Sequence, residues 1–231
     1  MKFALIGAGQ LGREIFRAAA GQRLVVDMAV GDAGALFQNA ELGCTTHLWA
    51  AAECQMVAVT VPANACGEIF NTLCPLMQPG SVLLNFSTNW DIPEGLRDRF
   101  PYLRLLDAKL LGSAAGMAQG MESLVVLDGS EGAIIDRVRD YLPGLKIISG
   151  DCFQVRSINV QATKAALSAA IALEKSLESQ GVPADMIGTA VGGLMPGVLV
   201  SYHAGTLGAF GREVVSQLKN TAFPDSSIPE T

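Results

Sequence analysis

Up to about residue 150 the apolar positions of this chain fall in short runs that alternate with helical stripes, and beyond it only helical stripes remain. Phe3-Ala4-Leu5-Ile6 is a fully apolar run, the pattern of a strand buried on both faces. It breaks at Gly7, after which Leu11, Ile15, Ala18 and Ala19 recur at helical spacing while Arg13, Glu14 and Arg17 lie elsewhere. Arg23 to Val30 predicts a second strand ending at Gly31-Asp32, then a short helix over Ala33 to Ala40 and a short strand over Cys44 to His47. Gln55 to Pro62 predicts a buried strand stopped by its proline. Ala63 to Met77 follows as a helix with Ile69, Phe70, Leu73 and Leu76 on one stripe. Pro79-Gly80 marks a turn, and Ser81 to Ser87 and Leu103 to Ala108 predict two further strands. Glu122 to Leu127 predicts another strand, Glu131 to Tyr141 a helix, and Leu145 to Ser149 a last strand.

Strands alternating with helices in this way imply an α/β fold, a Rossmann-type doubly wound and mostly parallel sheet with right-handed crossovers. The remainder predicts a small all-helical domain. Ser157 to Gln180 is one helix stopped by Gly181, and Pro183-Ala184-Asp185 opens another through about Val191. Gly192-Gly193 and Pro196-Gly197 are expected to interrupt the chain before a last helix over Val198 to Lys219. The expected boundaries are 1–152 for the sheet domain, 153–223 for the helical domain and 224–231 for a polar tail.

Composition narrows the picture. Half of the 231 residues are hydrophobic and 16% are charged, which suggests a deep core or apolar surface committed to another subunit. The net charge of −6 argues against a nucleic-acid partner. No apolar run reaches the roughly 18–20 residues of a membrane span, and the start of the chain lacks the pattern of a signal peptide, so a cytoplasmic protein without a membrane partner is expected. The cysteines Cys44, Cys54, Cys66, Cys74 and Cys152 are scattered without a Cys-x-x-Cys, and are expected as small buried hydrophobes in a reducing compartment. With only His47 and His203, no histidine-based metal site is expected.

Gly7-Ala8-Gly9-Gln10-Leu11-Gly12 is a Gly-x-Gly-x-x-Gly set between the first strand and the first helix. One such glycine makes the tight turn, one lets a diphosphate reach the backbone, and one lets helix and strand pack closely, while the helix N-terminus faces the anion. The six residues are therefore candidates to bind the diphosphate of NAD or NADP. Asp32, about twenty residues past Gly12, is the candidate for the ribose hydroxyls. No Arg or Lys follows the second strand to meet a 2′-phosphate, which favours NAD. In doubly wound sheets ligands sit at the carboxyl ends of the strands, which places Thr60, Val61, Pro62, Ser87, Thr88 and Asn89 beside the nucleotide. The small-residue stretch Asp107 to Gly120 suits a loop that passes close to a ligand.

The glycine turn, the strand ends Thr60-Val61-Pro62 and Asn85-Phe86-Ser87-Thr88, and the helical C-terminal part together resemble a superfamily of NAD(P)-dependent oxidoreductases. Its members include the 6-phosphogluconate and β-hydroxyacid dehydrogenases, pyrroline-5-carboxylate reductase and the deazaflavin-dependent NADP reductases. In the β-hydroxyacid branch the substrate loop reads Asp-Ala-Pro-Val-Ser-Gly-Gly, against Asp107-Ala108-Lys109-Leu110-Leu111-Gly112-Ser113 here. The family's substrate-binding Ser falls on Leu111, with Ser113 as the substitute candidate. The branch's catalytic Lys falls on Lys164, although the Asn expected four residues later is Ser168. A buried lysine in a cleft can serve as proton donor or base, the alternative being a solvated helix face. Lys109 is a third candidate. Tyr202-His203, amid Leu199, Val200, Ala204 and Leu207, reads as a core or interface pair. The resemblance implies hydride transfer between NAD or NADP and a small carbonyl, imine or deazaflavin substrate, with homodimerisation through the C-terminal helices. The alternative is a non-catalytic NAD(P)-binding sensor or subunit.

Overall fold

The computed structural model describes residues 1–27, 40–129 and 131–222. In chain order it holds β1 (Lys2–Ile6), α1 (Gln10–Ala18), β2 (Gln22–Val26) and the two-residue β3 (Cys44–Thr45). A 3-10 turn (Leu48–Glu53) leads to β4 (Met56–Val59) and α2 (Ala63–Leu73), which runs into a second 3-10 turn (Cys74–Leu76). Then come β5 (Val82–Asn85), α3 (Glu94–Arg99), β6 (Arg104–Leu111), α4 (Ala114–Ala118), β7 (Leu124–Asp128), α5 (Gly132–Tyr141) and β8 (Lys146–Gly150).

These strands form one sheet in the order β3-β2-β1-β4-β5-β6-β7-β8. Every neighbouring pair is parallel except β6 with β7. From β1 the chain winds outward through β2 to β3, then returns to β4 on the other side of β1. This reversal defines a Rossmann-type doubly wound sheet, with its switch point between β1 and β4. The apolar runs follow from burial on both faces. Phe3 and Leu5 enter one core layer with Ile15, Phe16, Val138 and Tyr141, whereas Ala4 and Ile6 enter the other with Phe70, Leu73 and Phe100. Burying each large side chain stabilises the fold by roughly 1.5–3 kcal/mol.

Several boundaries differ from the expected ones. β6 continues through Lys109, Leu110 and Leu111, because these residues pair with Val126, Val125 and Leu124 of β7. Ladder hydrogen bonds thus override the small-residue pattern that suggested a loop, and α4 forms within the rest of that stretch. β2 ends at Val26, and Asp27 donates its N–H to the Thr45 carbonyl at 3.1 Å. Asp32 and the expected helix from Ala33 lie outside the described residues, apart from Ala40. Four cysteines are buried, but Cys44 is exposed on the edge strand, contrary to expectation.

By internal packing the chain divides into Met1–Gln161 and Ala162–Thr231. α6 (Cys152–Ser179) begins in the first unit, where Cys152 and Val155 pack on Val126. The second unit contains α7 (Ala184–Thr189), a π-helical turn (Ala190–Leu194), α8 (Met195–His203) and α9 (Ala209–Ala222). Gly192-Gly193 and Pro196-Gly197 do not interrupt the helix, as had been expected. The π turn carries the glycines, and Pro196 lies just past it, in the first turn of α8. The break falls later, where Gly205 adopts a φ of +70° between α8 and α9. Ala184–His203 is consequently a 20-residue helical run with a mean hydropathy of 1.3, long and apolar enough to cross a membrane by length and composition. The expectation that no such run exists is corrected.

Candidate functional site

The end of β1 and the start of α1 are shaped by three glycines with different surroundings. Gly7 has a φ of +98°, and a Cβ there would sit 2.9 Å from Val61 Cγ1 and 3.0 Å from the Thr60 carbonyl oxygen. A Cβ on Gly12 would lie 2.1 Å from the Gly7 carbonyl oxygen and 2.8 Å from Thr60 Oγ1. Both positions are closed by the protein itself. Gly9 is different: nothing lies within 4 Å of its Cβ position, its conformation is extended, and it starts α1 without a side-chain cap. The first N–H groups of α1 thus begin at an open backbone edge, the arrangement that suits an anion.

Thr60 holds this turn from the other side of the switch point. Its hydroxyl donates toward the Gly7 carbonyl at 2.8 Å and the Ile6 carbonyl at 3.1 Å, so it ties the glycine turn to the end of β4. Val61 packs against Gly7, and Pro62 precedes α2, which also lacks a side-chain cap. Ala8 is buried, while Gln10 is exposed and Leu11 packs partly into the core. The Ala8 N–H donates to Asp27 Oδ2 at 3.0 Å, bringing a carboxylate from the end of β2 to the glycine turn. Sequence spacing pointed to Asp32 because β2 was expected to run to Val30. Counted from the first glycine of the turn rather than the last, the usual spacing falls on Asp27.

A second cluster occupies the carboxyl ends of β5 and β6. Asp107 is buried and accepts from Asn85 Nδ2 at 2.6 Å, Arg97 Nη2 at 2.7 Å and the Ile92 N–H at 3.2 Å. Lys109, two residues on and so on the same face of β6, is only 2% exposed. Its ammonium donates to the Ser87 carbonyl at 2.5 Å and the Trp90 carbonyl at 2.7 Å, and pairs with Asp91 at 3.2 Å and Asp107 at 3.3 Å. A buried ammonium is tolerated because these oxygens replace its water. From α6, Arg156 Nε donates to the Thr88 carbonyl at 2.7 Å and its Nη2 meets both Asp91 oxygens at 2.8 Å. Burial acts to raise the Asp91 carboxyl, but the Arg156 hydrogen bond and the Lys109 charge outweigh it and hold the group below the usual 3.8. Asn159 Nδ2 donates to the Leu110 carbonyl at 2.7 Å. Burial pushes the nearby Cys152 thiol up to about 12, so it behaves as a packed hydrophobe.

The structure thus brings Gly7 to Gly12, Thr60, Val61 and Pro62 together around the switch point. Ser87, Thr88 and Lys109 meet in the second cluster. Ser113 caps α4, its Oγ accepting the Gly116 N–H at 3.0 Å, and Lys164 is an exposed residue of α6 belonging to the second unit. Asp27, Asp91, Asp107, Arg156 and Asn159 were not assigned roles from sequence. Only Asp27 had a usable signal, its spacing of twenty residues from Gly7; the others are recruited by contacts between residues as distant in the chain as Asp91 and Arg156.

No family model matches this chain, and no curated protein matches it. Solved structures do. A pyrroline-5-carboxylate reductase from Coxiella burnetii superposes with a TM-score of 0.70 at 10% identity, covering 96% of this chain and 84% of that one. A 3-hydroxyisobutyrate dehydrogenase from Salmonella typhimurium gives 0.64 at 21% identity, covering 96% and 79%. An imine reductase variant from Myxococcus stipitatus in complex with NAD+ gives 0.58 at 12% identity, covering 88% and 77%. At such identities the likeness establishes the fold.

Proposed function

We propose that this chain is an NAD(P)-dependent oxidoreductase that moves hydride between a nicotinamide cofactor and a small substrate bearing a carbonyl, imine or deazaflavin group. The observation that carries the reading is the open Gly9 edge at the uncapped start of α1, between two glycines that the protein closes itself. A diphosphate would lie there against the backbone of Gly7 to Gly12, and Asp27 would meet a ribose. The bound nicotinamide would supply the hydride chemistry. The structures that resemble this chain are named as a 3-hydroxyisobutyrate dehydrogenase, a pyrroline-5-carboxylate reductase and an imine reductase, the last with NAD+ bound.

NAD is the favoured cofactor. Asp27 presents a carboxylate where a 2′-phosphate would otherwise sit, and no Lys or Arg occurs from Leu24 to Leu96. Lys164 is the candidate proton donor, because Lys109 and Ser113 are engaged within the first unit. That same engagement favours a second reading, nucleotide binding without turnover. Residues 1–152 would be the dinucleotide-binding domain and 153–223 a helical substrate and dimerisation domain of a cytoplasmic homodimer. Support for the dimer comes from an apolar groove of about 920 Å³ in the second unit, lined by Leu194, Val198, Tyr202, Phe210, Val214 and Leu218. Phe210 there is 80% exposed, too apolar a surface to be left in water. Light scattering that gives a dimer in detergent-free buffer supports this; a monomer, or protein recovered only with lipid, removes it.

The test of function is thermal unfolding with NADH, NADPH and ADP-ribose, followed by NADH oxidation against keto acids, imines and a deazaflavin. A cofactor at 100 times its dissociation constant should stabilise the protein by about 2.7 kcal/mol. No shift with any nucleotide overturns the reading. Binding without oxidation of either cofactor selects the non-catalytic one.

A further inference from the structure

We propose that Lys109 is a positioning residue for the bound cofactor, locking the Ser87–Asp91 loop into the shape that receives the nicotinamide half of a dinucleotide. The inference rests on the cofactor reading above. The side of the loop follows from the sheet order: Asp27 at the end of β2 marks the adenosine side of the glycine turn, and β4 and β5 lie on the opposite side of β1. Adjacent strands are about 4.8 Å apart, so the end of β5 lies roughly 10 Å from the turn across the sheet, within reach of the second nucleotide of a dinucleotide.

The loop has no regular structure to hold its shape. Its inner polar groups are gathered by two cations and by Asn85, whose Oδ1 accepts the Ser87 N–H at 3.0 Å and whose Nδ2 donates to the Trp90 carbonyl at 2.7 Å. Lys109 takes the carbonyls of Ser87 and Trp90, and Arg156 takes the carbonyl of Thr88 between them, while both cations meet Asp91. Thr88 and Asn89 are left exposed at the crest. A lysine suits the buried point because three donors on one atom can serve two carbonyls and a carboxylate converging from different directions. An apolar side chain of similar length would fill the space, leave the Ser87 carbonyl without a donor and leave the Trp90 carbonyl with Asn85 Nδ2 alone, freeing the loop to take other shapes.

The experiment measures NADH and ADP-ribose affinity by calorimetry for the wild-type 231-residue chain, Lys109→Met and Arg156→Met. ADP-ribose lacks the nicotinamide and reports the glycine turn and Asp27 alone. Lys109→Met should weaken NADH about ten-fold and leave ADP-ribose within about two-fold, the selective loss expected when a contact loop is misplaced by about an ångström. Arg156→Met, a partly exposed residue whose replacement leaves the sheet intact, should act in the same direction by about three-fold. Equal loss of both ligands, or no change in either, overturns the proposal. If Lys109→Met does not fold, Arg156→Met decides by the same criterion. Wild-type protein that binds neither ligand removes the cofactor reading and this inference with it; wild-type binding with unaffected variants removes this inference alone.

Discussion

At the switch point the polar groups left open belong to the backbone, whereas at the ends of β5 and β6 they are side chains already bonded to one another. Gly9 and the start of α1 make few internal demands, so a ligand can be received without breaking anything. Asp107, Lys109, Asp91 and Arg156 form a closed set in which each charge is met by another or by a carbonyl. On the function proposed above, the first region receives the ligand and the second shapes what surrounds it. Two neighbouring parts of one sheet edge therefore fail differently when changed, and this difference can be measured.

The largest effect is expected at Gly12. Its Cβ position lies 2.1 Å from the Gly7 carbonyl oxygen, a backbone atom that cannot swing aside. Gly12→Ala should destabilise the protein by about 2–4 kcal/mol, seen as a lower denaturation midpoint, because α1 must move off β1. Nucleotide binding should disappear with it. Gly9→Ala is the control that separates ligand from fold. Its extended backbone admits alanine and the space is open, so stability should change by less than about 0.5 kcal/mol. Affinity for NADH should nevertheless fall ten-fold or more, about 1.4 kcal/mol, since the methyl group would occupy the place of a diphosphate oxygen. A Gly9→Ala protein that binds as tightly as wild type would break the distinction between the two regions.

The contrast also explains what could be read in advance. Glycines with enforced local geometry and runs such as Phe3 to Ile6 carry their meaning within a few residues, so the sheet and its turn were legible. Asp27 drew no role from the sequence because Met28, Ala29 and Val30 extend the apolar pattern beyond it and carry the count to Asp32, which lies outside the described residues. Lys109 was read as a loop lysine because its pairing with Val126 depends on β7, which the local pattern cannot supply. Arg156 meets a loop 65 residues earlier in the chain, and a charged residue at the start of a helix gives no sign of such a partner. Interactions of low sequence separation were visible; the closed charge cluster, built from distant residues, was not.

A smaller effect is expected at Asp27, on the backbone-built side. Asp27→Ala removes the carboxylate beside the Ala8 N–H without opening the core. NADH should weaken by several-fold from the lost ribose contact, and the ratio of NADPH to NADH affinity should rise by about ten-fold as the repulsion of a 2′-phosphate disappears. Parallel titrations with both cofactors read the ratio directly. An unchanged ratio would place selectivity elsewhere.

The smallest effect belongs to the rim of the charge cluster. The Asp91 carboxyl titrates below its usual 3.8: burial raises it, and Arg156 and Lys109 lower it by more. A depressed carboxylate contributes stability that is present above its unfolded-state value and is lost as pH falls through the folded-state one. Because the Asp91 side chain is 57% exposed, solvent screens the pair, and Asp91→Asn should cost no more than about 1 kcal/mol at pH 7. Thermal midpoints of the two proteins, measured from pH 7 downward, should stay apart by a constant small amount to about pH 5 and converge only as pH falls below 3.8, where the wild-type carboxyl takes up its proton. Added salt should narrow the gap at pH 7 without moving the point of convergence far. A gap that persists at the acid end would mean that Asp91 acts through shape and not through charge, and the loop would then be held by its bonds to Lys109, Arg156 and Asn85.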